Sequence, residues 1–143
     1  MSLPVHVLAQ TYIEFQSRGL DPELIREEFE KYKSGAEFDH EWFCHDVGSN
    51  PREYLRHVHF IPSDLAAEAQ WLADFADPHR KARRTSDRYV LYAWDPRHGY
   101  LIIDILDDPG AHTLWKQRHK KLPNYELAAT NFCTYGPNVS DHK

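Results

Sequence analysis

No apolar run in the 143-residue chain approaches the roughly 20 consecutive residues that a membrane-spanning helix requires. Nor does a basic segment followed by an apolar stretch mark a secretory signal. The expectation is a cytoplasmic protein with no membrane contact. Cysteine is nearly absent. Cys44 and Cys133 are the two present, and they form no Cys-x-x-Cys pair. A single disulfide and two reduced thiols both fit that spacing, and the cytosolic reading favours the thiols. Positive charge is also short. Seventeen Lys and Arg face 22 Asp and Glu, a formal net charge of −5 with histidine neutral. That balance opposes loose, nonspecific binding along a nucleic-acid backbone, although a local basic groove is still compatible with it. Internal repeats and low-complexity linkers are missing, so the chain reads as one domain over 1–143, with a flexible tail from about 136.

What is present suits a compact core. Hydrophobic residues make up 41% of the chain and aromatics 13%, enough to fill the interior of a domain of this length. Ten histidines add positive charge below neutral pH.

The chain begins with a strand pattern over Pro4–Leu8, followed by a short helix from Ala9 to Arg18 that Gly19 stops. Asp21-Pro22 supplies a cap and a preorganised first turn for the next helix. Leu24, Ile25, Phe29 and Tyr32 place an apolar stripe along it, and Ser34-Gly35 ends it. Residues 36–56 lack periodicity and read as a loop anchored by Phe38, Trp42 and Phe43. His57-Val58-His59-Phe60-Ile61 alternates as a strand does. Ser63 or Asp64 caps a helix to about Phe75, with Leu65, Ala69, Leu72 and Phe75 expected on its packed side. Tyr89–Trp94 and Tyr100–Leu106 flank a turn and form an antiparallel hairpin. Pro123 to about Phe132 reads as a last helix. The fold class is therefore α+β, a small antiparallel sheet with packed helices.

The cationic residues cluster around that hairpin. Arg83, Arg84 and Arg88 bracket Thr85-Ser86-Asp87, a set of guanidinium forks and hydroxyls that suits phosphate oxygens. The alternative is a solvated connector in which Asp87 pairs with an arginine and orients the chain. Lys116 to Lys121 form a second basic run, either a solvated face or a phosphate contact. His57 and His59, two apart on a strand, face the same side, as acid–base groups, RNA contacts or a half-buried pair bonded to backbone. They lack an adjacent third ligand, which argues against a metal. His112 follows a Pro-Gly turn at the end of the hairpin. Tyr92 offers a ring for stacking on a base or for the core. Asp104 interrupts an apolar strand, and by simple alternation it shares a face with Ile102, with solvent as its expected surroundings.

Taken in order, several segments resemble one family: Tyr32-Lys33-Ser34-Gly35 at a helix end, His57-Val58-His59-Phe60 with Trp71 downstream, Arg84-Thr85-Ser86-Asp87 before Leu91-Tyr92, Leu101 to Leu106 followed by Pro109-Gly110-Ala111-His112, and Leu127-Ala128-Ala129 with Phe132. This pattern, over roughly residues 20 to 132, resembles the YafO toxins of bacterial type II toxin–antitoxin systems. The resemblance implies a RelE-like domain that cleaves messenger RNA on the ribosome and is neutralised by a cognate antitoxin. The acidic balance departs from the basic character of many such toxins.

Metal-free RNA cleavage needs a base for the ribose 2′-hydroxyl, cations for the developing phosphate charge and an acid for the leaving oxygen. On this reading His112, His57, His59 and Arg84 are the catalytic candidates, with no cofactor. Arg83, Thr85, Ser86, Arg88, Tyr92 and Lys116 are the substrate contacts. Two other readings stand beside it: a non-catalytic module of the same fold that binds RNA, the ribosome or a protein, and a metal-dependent enzyme built on His57, His59 and a carboxylate.

Overall fold

The computed structural model describes residues 3–35, 39–44 and 53–137 and the backbone of 141–142. Phe38 and residues 45–52 of the expected loop lie outside the described residues. Strands β1 (Val5–Leu8), β2 (Phe43–Cys44), β3 (Leu55–Phe60), β4 (Tyr89–Asp95), β5 (Gly99–Leu106) and β6 (Asp141–His142) form one sheet in the order β2-β3-β4-β5-β1-β6. The pairings are antiparallel except for β1, which runs parallel to β5. The sheet is thus mostly antiparallel, as expected, with the parallel β1–β5 pair and the short strand β6 added at one edge.

Helices lie on both faces. On one, α1 (Ala9–Ser17) and α2 (Pro22–Lys33) cover Val58, Val90, Tyr92 and Ile102 with Phe15, Ile25, Phe29 and Tyr32. Asp21 caps α2 as its sequence implies, accepting from the amides of Glu23 and Leu24 at 3.1 and 3.2 Å. On the other face, α4 (Ala111–Lys116) and α6 (Pro123–Tyr135) press Ala111, Trp115, Ala129 and Phe132 onto Leu55, Tyr89, Leu91, Leu101 and Ile103. Helix α5 (Arg118–Lys121) joins them. With both faces covered, β4 and β5 carry apolar residues on both sides rather than alternating. The hairpin turn depends on Gly99, whose φ of +90° is open to glycine and where a Cβ would collide with the Pro4 carbonyl.

Two expectations about faces are corrected. The β4–β5 register slips between Leu91 and Tyr92, so that Leu91 pairs with Asp104 and Tyr92 with Ile102. This bulge turns Ile103 and Asp104 to the same side. Asp104 is therefore buried against α6 and not solvated: it accepts a short hydrogen bond from the Tyr125 hydroxyl and pairs with Arg18 at 3.2 Å. Burial and the Asp104 carboxylate push the Tyr125 phenol well above its ordinary pKa. The second correction concerns α3 (Leu65–Phe75). Its packed residue is Trp71, while Leu65 and Leu72 stand in solvent. Leu65 and Leu72 sit roughly a third of a turn around the helix from Trp71. Trp71 wins the interior because its ring stacks on Arg84 and its indole N–H reaches the Glu41 carbonyl.

Candidate functional site

The first basic run folds inward. A 3-10 turn, Lys81–Arg83, leads into Arg84, which is 2% exposed. Its guanidinium donates to the carbonyls of Lys81, Glu41 and Phe43 at 2.8, 3.2 and 3.4 Å, between the rings of Trp71 and Phe75. Burial pulls its pKa down, with the Cys44 thiol beside it opposing. Arg84 thus knits the β2 segment to α3, and a guanidinium saturated by carbonyls has little left for a phosphate. Arg88 is similarly engaged, donating to Asp107 at 2.9 Å and to the Ile61 carbonyl at 3.1 Å over the Phe60 ring. The Ser86 hydroxyl donates within the chain, close to the carbonyls of Phe60 and Arg88 at 2.7 and 2.8 Å. Tyr92 is 1% exposed and lies on the α2 face, where Lys33 reaches its hydroxyl at 3.2 Å. Arg83 and Thr85 remain in solvent.

A cleft of about 200 Å³ does open beside Arg84, Thr85 and Ser86, but Asp74, Asp87 and Asp108 also line it. Three carboxylates make it a poor cradle for phosphate. Asp108 is tied down structurally. Burial acts to raise its pKa, but the Ser63 hydroxyl and the amides of Asp64 and Ser63 outweigh that and hold it low.

The histidines gather on the α4–α6 face. His57 and His59 project to the same side of β3, both buried, with ring centroids 6.0 Å apart. His57 packs on Tyr89 at 4.5 Å and on Trp115 at 4.2 Å. His59 meets Tyr89 edge-on at 5.0 Å. Its Nδ1 lies 2.9 Å from the Ser86 amide nitrogen and 2.8 Å from the Ser86 carbonyl, so it accepts from one or donates to the other according to tautomer. The Tyr89 hydroxyl lies 3.0 Å from Nδ1 of His112, which is exposed. Burial, aided by the charge of Asp87, raises the Tyr89 phenol pKa and keeps it protonated.

Asp87 sets the position of His112. Its two oxygens accept from the Gly110 and His112 amides at 2.5 and 2.8 Å, fixing the first turn of α4. One helical turn on, Lys116 lies on the same side of α4 as His112. Lys116, Lys120 and Lys121 are exposed and make no ion pair among the described residues. Arg118 and His119 are paired, Arg118 with Glu53 at 2.6 Å and His119 with Glu126 at 2.8 Å. The sheet therefore brings His57, His59 and His112 together through Tyr89, beside an open lysine patch. It does not bring Arg84 or Tyr92 to them. Among the described residues no three His, Cys, Asp or Glu side chains converge to hold a metal. Tyr89 and Trp115, which join the three histidines, carry no separate signal in the sequence, since an aromatic in a strand or an amphipathic helix reads as core.

The family model for Toxin YafO, of a type II toxin–antitoxin system, matches residues 30–134. The chain belongs to the YafO toxin family. That match spans α2's end through α6 and includes the whole histidine face. Membership implies a cognate antitoxin partner. No curated protein and no solved structure matches the chain. Among the described residues of this YafO-family chain no helix is long and apolar enough to cross a membrane.

Proposed function

We propose that this toxin is a cytoplasmic endoribonuclease of RelE-like architecture that cleaves messenger RNA on the ribosome by metal-independent acid–base catalysis. The observation that carries the reading is His112: exposed, held through Nδ1 by Tyr89 and through its amide by Asp87, and next to Lys116. In such cleavage a base removes the proton of a ribose 2′-hydroxyl, and that oxygen attacks the adjacent phosphorus. The bond to the 5′-oxygen breaks, an acid protonates it, and a cyclic phosphate and a 5′-hydroxyl end result. His112 serves as the proton-transfer group. As the acid, the ring is the imidazolium: Nδ1–H donates to the Tyr89 oxygen and Nε2 gives up its proton. As the base, the ring is neutral: Nδ1–H still donates to Tyr89 and the free Nε2 takes the proton. Lys116 and the exposed Arg83 and Thr85 meet phosphates, while His57 and His59 hold Tyr89 and supply further titratable rings.

The test is incubation of the purified chain with messenger RNA and a chelator, with and without translating ribosomes, followed by mapping of 5′ ends. New 5′-hydroxyl ends that persist in chelator are expected. Their absence under both conditions would sink the reading. One observation favours a second function: both strand histidines are buried and Arg84 and Arg88 are consumed internally, as suits a non-catalytic module that occupies RNA, the ribosome or a protein. Growth arrest without new RNA ends would mark that function.

A further inference from the structure

Helix α3 exposes its apolar face. Leu65 is 81% and Leu72 37% exposed, and Ala69 and Ala76 fall in the same stripe, with Ala66 and Ala73 at its edge, all in solvent. Only Trp71 of this helix is buried. Alongside runs an open groove of about 400 Å³, floored by Leu20, Ile25, Trp42, Phe60 and Ile61 and flanked by Leu24, which is 42% exposed. Glu68 belongs to both, since it lines the groove and sits one turn from Leu65 and Leu72 on the edge of the stripe. Groove and stripe meet at Glu68 and together expose apolar surface of the kind that marks a protein-binding face.

Its charge selects the partner. Asp21 and Glu68 rim the groove and Asp64 caps α3 beside Leu65, whereas Asp74 and Asp77 are offset by Arg80 at 3.8 Å. The rim cation Arg88 is committed to Asp107. A second copy of this chain would set like charges against each other across a two-fold axis. We propose that this surface receives the antitoxin, through an amphipathic helix whose apolar stripe is flanked by lysine and arginine. The partner is given by the family and the face by the geometry, so the inference stands whether or not the toxin cuts RNA. It also places the antitoxin on the α2–α3 side.

The antitoxin encoded beside the gene is the probe, titrated onto the full chain. Leu65→Glu/Leu72→Glu changes exposed side chains, so circular dichroism and thermal unfolding should match the parent. Its affinity for the antitoxin should fall by about tenfold or more, as for loss of central apolar anchors. Glu68→Lys should weaken binding further at low salt than at high salt. Leu127→Glu, an equally exposed change on α6, should have no effect. Hydrogen exchange in the complex should be slowed over residues 20–25 and 65–76. The proposal fails if the double variant binds within about twofold of the parent, a difference too small for a lost anchor. It fails equally if protection falls on α4–α6 or if the antitoxin does not bind. A parent dimer that Leu72→Glu dissociates would assign the face to a second copy and overturn it.

Discussion

The two basic runs of this chain are alike in charge and opposite in fate. The first, Arg83–Arg88, turns two of its three arginines inward: Arg84 satisfies three carbonyls and Arg88 a carboxylate and a carbonyl, while Arg83 stays in solvent. Lys116–Lys121 stays on the surface, and its lysines keep their charge in solvent. The contrast follows from side-chain chemistry. A guanidinium has five donors in a rigid fork, is weakly hydrated and stacks on aromatic rings, so it can be buried among carbonyls. An ammonium is strongly hydrated and stays out. A cationic motif in sequence is thus a better guide to an open phosphate contact when it is made of lysine.

The sharpest way to test that contrast is His112→Ala, beside the lysine patch. Cleavage should fall by about 100-fold or more, the range for a general acid or base, with stability lowered by no more than the roughly 1 kcal/mol of its hydrogen bond to Tyr89. Full activity in this variant would remove the assigned proton-transfer group. Arg84→Ala should do the reverse. It strands three carbonyls and empties the space between Trp71 and Phe75, and should lower stability by about 2–4 kcal/mol in urea unfolding. An Arg84→Ala protein as stable as the parent would make the first run a functional one after all. Tyr89→Phe keeps the ring under His57 and removes the hydroxyl from His112. A lost neutral hydrogen bond of about 1 kcal/mol predicts roughly fivefold slower cleavage, with a displaced pH–rate profile that mere packing loss would not give.

Lys116→Ala/Lys120→Ala should weaken RNA binding only a few-fold, and the slope of log affinity against log salt should drop by about one for each phosphate no longer neutralised. An unchanged slope would mean that these lysines are only solvated. The smallest effect concerns the acidic frame around the first run. The folded-state pKa of Asp108 lies below its unfolded value. Its contribution is therefore present above the ordinary carboxylate range and is lost as pH falls through the depressed value. In Asp108→Asn, that part of the acid-induced loss of stability should vanish from urea unfolding measured across pH.

Much of the frame was legible. Asp21-Pro22 opens α2, Asp64 caps α3 by accepting from the Ala67 amide at 3.0 Å, and the Tyr89–Leu106 hairpin lies where its two apolar runs around a turn put it. The pairing of His57 with His59 on one face follows from strand period alone, and the role of Asp87 as an orienter follows from its lack of a proton to give. These are local rules, in which a residue and its neighbours within one turn decide the outcome.

What the sequence by itself determined is the longer helices and strands, the α+β class and the family. Only the tertiary structure decided which residues share a site. A one-residue bulge turned Asp104 from the face of Ile102 to that of Ile103. One tryptophan, by stacking on Arg84, chose which side of α3 faces solvent, and Tyr89 became the link between strand histidines and His112. Each outcome depends on groups from different elements, distant in sequence, competing for the same interior volume and the same backbone carbonyls. No local pattern records which of them wins.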